Sequence, residues 1–212
     1  MLRISLNAYI ADAYRALPVL PRDHLPWQLT TDIAALLYEY MTSLGPDFTM
    51  TDGIAVHRSA VIAASAVIEA PAIVSRDCTI APHAYIRAGV FADQHVHIGS
   101  SCEVKSSYLF HHCALAHLNY VGNALIGAHV NLEAGAVVAN HWNERHDKAI
   151  SVVVDGRAVP THVTKFGAVL GDGTRMGANA VTSPGTLLPP RSVVKRLELV
   201  DQGASVAASD AR

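Results

Sequence analysis

Residues 56–104 read VHRSAVIAASAVIEAPAIVSRDCTIAPHAYIRAGVFADQHVHIGSSCEV, and an aliphatic residue recurs in this stretch at every sixth position. The series, in which only the alanine is weak, is Val56, Ile62, Ile68, Val74, Ile80, Ile86, Ala92, Ile98 and Val104. A small residue stands four places after most of these positions, as at Ala60, Ala66, Ala72, Cys78, Ala84 and Cys102. A period of six matches neither an α-helix nor a single β-strand. It is typical of a coil whose short strands are joined by tight turns, with about eighteen residues to each three-sided turn.

The same rhythm extends beyond this stretch and defines the proposed domain. It continues through Leu109, Leu115, Val121, Ile126, Leu132 and Val138, with two steps shortened to five residues. It resumes at Leu170, Met176, Thr182 and Leu188. We therefore predict an all-β coiled domain over residues 53–195, with a loop insertion at about 139–163 and an unstructured tail over 196–212.

Residues 1–52 do not carry the period and are predicted to form a helical capping segment. Thr30-Thr31-Asp32 is a plausible helix start, and Gly45-Pro46 is a stop signal. Between them, apolar residues fall at helical spacing: Ile33, Leu36, Leu37, Tyr40, Met41 and Leu44. We expect this helix to pack on the first coil and cover an edge that would otherwise invite strand addition.

Composition narrows the classes of protein to consider. Only 16% of the residues are charged and the formal net charge is −2, which argues against nucleic acid as a partner. No stretch is apolar for long enough to cross a bilayer, so no membrane partner is expected. Three cysteines at scattered spacing indicate neither a disulfide framework nor a zinc motif. All three occupy the small inward position of the repeat, where they act as buried apolar residues. The expectation is a cytoplasmic protein.

Twelve histidines raise the possibility of a metal site. A coil of this kind can hold zinc between subunits, as in the γ-class carbonic anhydrases. However, His111 and His112 are adjacent, so on an extended strand their side chains would point to opposite sides. The pattern of ligands of that family is also absent, and we predict no tightly bound metal.

The hexads resemble those of the left-handed β-helix acyltransferases, and this resemblance implies a single-stranded left-handed parallel β-helix. Periodicity alone does not give the hand. A more specific resemblance lies in polar residues outside the rhythm: Glu103-Val-Lys105, then AHLNYVGN at 116–123, then IGAHVN at 126–131, then Asn140. These are similar to the acetyltransferase domain of the bifunctional UDP-N-acetylglucosamine pyrophosphorylase/glucosamine-1-phosphate acetyltransferase. The similarity runs from about Ile80 to His141, whereas the pyrophosphorylase domain has no counterpart.

The resemblance implies a role for each matching residue. His117 would be the general base, and Arg87, Lys105 and Tyr120 would hold a sugar phosphate. Asn131 and Asn140 would bind the sugar or position the acyl group. The family's lysine in the next loop falls on His146 by direct count and reaches Lys148 with a two-residue insertion.

The implied acyl donor is acetyl-CoA, lying between neighbouring subunits beside the last coils. Lys165 and Arg175 are available for its phosphates, and the backbone around Ala180 and Ser183 for its pantetheine arm. A long-chain acyl donor is a variant of the same function.

These roles are chemically coherent. An amine attacks a thioester only as its proton is removed, and an imidazole titrates near neutrality. Arg87 and Lys105 are eighteen residues apart and should stack in successive coils, as suits a phosphate. We expect them to share one edge of the prism with His117 and Tyr120. Asn131 lies elsewhere and would contribute from a neighbouring subunit, which predicts a homotrimer.

Two functions of different classes therefore remain. One is an acetyl-CoA-dependent acetyltransferase acting on an aminosugar phosphate or a nucleotide sugar. The other is a non-catalytic trimeric β-helix that binds sugar nucleotide or scaffolds a partner. A base beside a phosphate-binding pair favours the enzyme, because a scaffold has no need of either.

Overall fold

The computed structural model describes residues 4–203, which contain short helices followed by many short strands. The helices are a 3-10 turn at Leu6–Ala8, α1 (Ala13–Ala16), α2 (Pro26–Thr31) and α3 (Ile33–Met41). The strands in chain order are β1 (Phe48–Thr51), β2 (Ile54–His57), β3 (Val61–Ile62), β4 (Val67–Ile68), β5 (Ala72–Val74), β6 (Thr79–Ile80), β7 (Tyr85–Ala92), β8 (His97–Ser100), β9 (Glu103–Leu109), β10 (Ala114–His117), β11 (Tyr120–Gly122), β12 (Leu125–Ile126), β13 (Asn131–Leu132), β14 (Val137–Val138), β15 (Ser151–Val154), β16 (Arg157–Pro160), β17 (Ala168–Leu170), β18 (Arg175–Met176), β19 (Val181–Thr182), β20 (Thr186–Leu188), β21 (Val193–Val194) and β22 (Leu199–Val200). None of the helices within 4–203 is long and apolar enough to span a membrane.

The strands wind into a three-sided parallel β-helix, which confirms the fold predicted from the six-residue period. The first face contains β2, β5, the ends of β7 and β9, β12, β17 and β20. The second face is a seven-stranded sheet of β3, β6, β8, β10, β13, β18 and β21. The third face contains β4, the starts of β7 and β9, β11, β14, β19 and β22. Each strand pairs with the strand one turn later, as Val56 does with Val74 and Val74 with Ala92.

The aliphatic positions of the repeat fill the interior of the coil. Ile80, Ile86, Ile98 and Val104 are all 0–1% exposed and belong to one continuous apolar core. Burial of such side chains stabilises a fold by about 1.5–3 kcal/mol each. The three cysteines lie in the same core and are free thiols, so the prediction that they act as small apolar residues is confirmed.

The N-terminal helices cover the outer surface of the first face, including Ala55 of the first coil and the turns that follow it. The predicted helix is present as α3, and it contacts β5, β7 and β9. Outward-facing Ile73, Phe91 and Tyr108 form a second apolar core with these helices. The edge of the first coil is covered by β1, which belongs to the same N-terminal segment and pairs antiparallel with β2. The helices have to lie on the face because its outward side chains are apolar and need burial.

The insertion and the tail also differ from the expectations. The insertion forms a hairpin of β15 and β16, and its Ile150 and Val152 join the second apolar core. Part of the segment predicted as a tail from residue 196 is structured, because Leu199 and Val200 form β22 and pair with Val181 and Thr182. Residues 204–212 lie outside the described part of the chain.

Three histidines stack at the corner between the first and second faces. His95, His112 and His129 have left-handed backbones, with φ of 59°, 59° and 57°. The ring centroids of His95 and His112 are 4.5 Å apart, and those of His112 and His129 are 5.0 Å apart, with nearly parallel planes. His111 meets the last two edge-on. The expectation that His111 and His112 point to opposite sides is therefore wrong, because this stretch turns a corner. No group of three or more His, Cys, Asp or Glu within 4–203 is placed to hold a metal ion.

The stack should make stability depend on pH. His112 is exposed, and the loss of hydration within the stack lowers its pKa. Neighbouring His95, His129 and His111 lower this pKa further, against an opposing effect of Asp93. The unfolded chain therefore binds this proton at a higher pH than the folded chain does. The free energy of unfolding is therefore highest above the unfolded pKa of about 6.5. It decreases as the pH falls from there towards the lower pKa of the folded state.

When the pH is lowered from about 7.5 to about 5.5, we expect the free energy of unfolding to fall less in His112→Asn than in the wild type. Urea unfolding at the two pH values measures this difference. Asparagine tolerates the left-handed backbone, so the substitution removes the imidazole with little strain. His162→Asn is the matched control, since His162 is exposed, has φ of 60° and lies in the insertion. Equal pH sensitivity of the two variants would contradict this role of the stack.

Candidate active site

Arg87 and Lys105 lie in register on adjacent turns of the third face, followed by Gly122 on the next turn. The Arg87 guanidinium is bound to a carboxylate, with Nη2 at 2.6 Å and Nε at 2.8 Å from Glu103 Oε1. It also lies over the Tyr85 ring, 5.6 Å from the centroid. The hydrogen bond to Glu103 raises the pKa of Arg87. The positive charge of Arg87 is thus balanced by a neighbour that the prediction of a two-cation clamp did not include.

Lys165, which the sequence predicts at the cofactor phosphates, lies beside Lys105. Burial lowers the pKa of Lys105, and the nearby charges of Lys165 and Arg87 lower it further. The two lysine side chains are therefore close neighbours. Two close ammonium groups are a costly arrangement unless an anion joins them, so this pair is suited to a phosphate.

The insertion explains why Lys165 reaches this point. The chain leaves the coil at Asn140 and returns at Phe166, whose N–H donates to the carbonyl of Asn140 at 3.1 Å. The two ends of the insertion are therefore adjacent. Lys165, at its second end, lies next to the residues that precede the insertion in the chain. Lys148 lies within the insertion, where Nζ donates to the carbonyl of Asn143 at 2.6 Å.

Tyr120 and Asn140 are joined by a hydrogen-bonded network that includes Asn123. The Tyr120 hydroxyl donates to Asn140 Oδ1 at 3.2 Å, and Asn140 Nδ2 donates to Asn123 Oδ1 at 2.7 Å. Asn140 is only 8% exposed. A Cβ at position 122 would lie 2.6 Å from Asn140 Nδ2 and 2.7 Å from the Tyr120 hydroxyl, so a larger residue there would displace this network. Sequence reasoning missed Asn123, although it lies within the segment 116–123 that carries the resemblance.

His117 and Asn131 lie on the second face, whereas Arg87, Lys105 and Tyr120 lie on the third, and the predicted grouping of His117 with these three residues along one edge stays a prediction. His117 is exposed at the end of β10, and the chain then turns a corner at Leu118, with φ of 57°, before Tyr120. Asn131 is exposed on the next turn of the same sheet, paired with Ala114. The base and the cations are therefore on two different faces of one chain.

A groove of about 510 Å³ runs along the second face beyond Asn131. Its lining includes Arg175, Lys195 and Arg196, and Arg196 is paired with Glu133 at 3.0 Å. Arg175 is exposed and lies in register with Asn131. The groove is basic and open, as an elongated anionic ligand requires.

The backbone groups of Ala180 and Ser183, predicted from the sequence to bind a pantetheine arm, are bonded within the coil. Ala180 is fully buried, and its N–H and carbonyl bond to Gly177 and Val137. The N–H of Ser183 donates to the carbonyl of Val200, and its own carbonyl accepts from Thr186 Oγ1. Both residues are committed to the coil.

Comparison with known proteins identifies relatives that share this part of the chain. Residues 68–202 match the family model described as the GMPPB C-terminal domain. The bifunctional protein GlmU of Streptococcus equi subsp. zooepidemicus is 34% identical over 128 residues, which are 60% of this chain and 26% of that protein. The bifunctional protein GlmU of Methanococcus maripaludis is 32% identical over 120 residues, 57% of this chain and 28% of that protein. The chain thus spans about a quarter of the length of the curated relatives it matches.

Among solved structures, a hexapeptide transferase family protein from Anaplasma phagocytophilum aligns with a TM-score of 0.44 and 18% identity. The alignment covers 68% of this chain and 70% of that one.

Proposed function

We propose, from the premise that the chain belongs to the family of the GMPPB C-terminal domain, that it is an acetyl-CoA-dependent acetyltransferase whose acceptor is an aminosugar phosphate. The observation that carries this proposal is the pair of Lys105 and Lys165 beside the network of Tyr120 and Asn140. The names of the GlmU relatives do not by themselves assign the reaction, because each shares only part of its length with this chain.

The proposed reaction uses an imidazole as the base. The acceptor amine attacks the thioester carbonyl of acetyl-CoA and forms a new C–N bond. His117 Nε2 or Nδ1 takes the proton from the amine as its nitrogen becomes positive, and the C–S bond breaks. The CoA thiolate leaves and takes up a proton from the imidazolium, which regenerates the base.

The phosphate of the acceptor would bind between Lys105 and Lys165. Arg87 is held by Glu103 and would contribute as a fixed, already paired cation at the edge of this site. The proposal replaces Lys148 by Lys165 because the latter is the lysine that lies next to Lys105.

Acetyl-CoA would lie in the basic groove of the second face, with its phosphates near Arg175 and Lys195. Asn131, at the start of this groove, would face the acyl end. This placement puts the donor on the same face as His117, where the thioester has to meet the base.

A homotrimer would complete the site. His117 and Asn131 belong to strands of the second face, whereas Lys105 belongs to a strand of the third face, so a neighbouring copy would supply one of the two sets. Packing the second face of one copy against the third face of the next would join the two halves in a closed ring. Light scattering should give a mass near three times 22.6 kDa, whereas a monomer at micromolar concentration would contradict the shared site.

Replacing Lys105 or Lys165 by alanine should raise KM for glucosamine 1-phosphate while the KM for acetyl-CoA stays the same. A charge-assisted contact contributes about 1.5–3 kcal/mol, which corresponds to about one to two decades in KM. Steady-state kinetics with both substrates measure the effect. Lys148→Ala is the matched comparison, since Lys148 bonds within the insertion. If Lys148→Ala raised the KM of the acceptor and Lys165→Ala did not, the assignment of Lys165 would be wrong.

The alternative function is a non-catalytic module that binds sugar nucleotide or scaffolds a partner. It remains the alternative because Lys105 and Lys165 would bind a sugar phosphate without a base taking part. Absence of acetyl transfer by a trimer that binds the sugar phosphate would support this alternative.

A further inference from the structure

The network beneath Tyr120 depends on a side chain to which the resemblance assigns no role. We propose that Asn123 is a positioning residue of the acceptor site, which orients the Asn140 amide so that the Tyr120 hydroxyl presents its lone pairs to the acceptor. This inference rests on the proposed acetyltransferase function. It assigns Tyr120 to an O–H or N–H group of the acceptor and not to the phosphate.

The direction of the hydrogen bonds follows from the inventory of donors. An asparagine amide has N–H groups on one side and an oxygen on the other. Since Asn123 Oδ1 accepts from Asn140 Nδ2 at 2.7 Å, the oxygen of Asn140 has to face Tyr120. The single phenolic proton then goes to Asn140. Burial and the charge of Glu103 raise the pKa of Tyr120, so the phenol keeps this proton.

Asn123 is well held for this role. Its N–H donates to the carbonyl of Lys105 at 2.9 Å, and its carbonyl accepts from Gly167 at 2.9 Å. Its backbone is left-handed, with φ of 46°, which asparagine tolerates better than most residues. Bonds to the preceding turn and to the strand after the insertion thus fix where its side-chain oxygen points.

The consequence concerns the specificity of the site. A hydroxyl that has given its only proton to Asn140 accepts a hydrogen bond from a ligand and offers no proton to a phosphate oxygen. An acceptor that lacks an O–H or N–H at this point would leave the Tyr120 lone pairs unpaired, which sites of this kind reject strongly. The lysine pair remains to bind the phosphate.

Two substitutions separate the side chain of Asn123 from its backbone. Glycine and aspartate both tolerate the positive φ of position 123. Only Asn123→Asp keeps a side-chain oxygen that can accept the hydrogen bond from Asn140 Nδ2. With acetyl-CoA and glucosamine 1-phosphate as probes, we expect Asn123→Gly to lower kcat/KM for the sugar about tenfold or more, and Asn123→Asp to stay within about twofold of the wild type. The KM for acetyl-CoA should not change. A wild-type kcat/KM in Asn123→Gly, or an equal loss in both variants, would overturn the inference.

The acceptor group that meets Tyr120 is tested with Tyr120→Phe. If the hydroxyl accepts from the sugar, the loss in kcat/KM should be equal for glucosamine and for glucosamine 1-phosphate. A loss confined to the phosphorylated sugar would show that Tyr120 serves the phosphate, and the specificity part of the inference would be wrong.

Crystal structures without ligand test the positioning independently of activity. The contact between Tyr120 and Asn140 should persist in Asn123→Asp and be broken in Asn123→Gly. If the wild type transfers no acetyl group to either sugar, the proposed function fails, and these structures still decide the role of Asn123. An Asn140 side chain that stays in place in Asn123→Gly would refute that role.

Discussion

His117→Ala is expected to lower kcat for acetyl transfer by about 10² to 10⁴, the contribution typical of a positioned base. The KM values should change little, because the imidazole acts on the proton of the amine and not on the binding of either substrate. Stability should be nearly unchanged, since His117 is exposed at the end of β10 and fills no part of the core. Steady-state kinetics and urea unfolding of the variant measure the two effects separately.

Two controls make this test specific. His97→Ala removes another exposed imidazole from the same sheet, in register with Ala114 of β10, and should leave kcat unchanged. The comparison with the wild type belongs at a pH where the amine of the acceptor is already deprotonated, because low pH also inactivates the nucleophile. If His117→Ala turned over the sugar phosphate as fast as the wild type there, the general-base role would have to be abandoned.

Gly99→Ala is expected to prevent folding or to destabilise the protein by about 4 kcal/mol or more, a size reserved for a few severe mechanisms. A Cβ on Gly99 of β8 would overlap the carbonyl oxygen of Ala116 in β10, on the adjacent turn. Both partners are backbone within a paired sheet, so neither can move aside as a flexible side chain would. The lost stability is a large part of the roughly 5–15 kcal/mol that holds a typical domain folded.

Urea unfolding, or recovery of the protein only in insoluble form, measures the effect of Gly99→Ala. Gly45→Ala is the matched control, because a Cβ there would have nothing within 4 Å. Gly99→Ala and Gly45→Ala with the same unfolding midpoint would show that adjacent turns are less tightly packed than the structure indicates.

The coil was predictable because its period is a local property of the chain. Each hexad places one aliphatic residue inside the coil. The inward position of residues such as Ile80 and Val104 therefore follows from their spacing alone, without knowledge of distant contacts. The cover on the first face was not predictable in this way. Outward-facing Phe91 and Tyr108 lie between the inward positions, and only the folded chain shows which helix meets them, as when the Tyr108 hydroxyl donates to the carbonyl of Leu29.

In the candidate site, too, features set by local spacing were predictable and features set by distant contacts were not. The stacking of Arg87 on Lys105 follows from a separation of one turn and was predicted. The position of Lys165 was not, because a count along the insertion ignores that its two ends meet at Asn140 and Phe166. His117 and Tyr120 lie on either side of the corner at Leu118, and their meeting in one site stays a prediction.

The helical cover of the first face has a consequence for how the chain finds its own alignment while folding. A solenoid of similar hexads has near-equivalent misfolded states in which one turn is skipped and the rest slide up by eighteen residues. The interior of the coil gives little energetic preference against such a slip, because the shift places one aliphatic side chain at the core position of another. The outer row is not uniform: Ile73, Phe91 and Tyr108 differ in size, and only Tyr108 bonds to Leu29. Contacts between the N-terminal helices and these unlike residues therefore favour the native register of the coil over registers shifted by one turn.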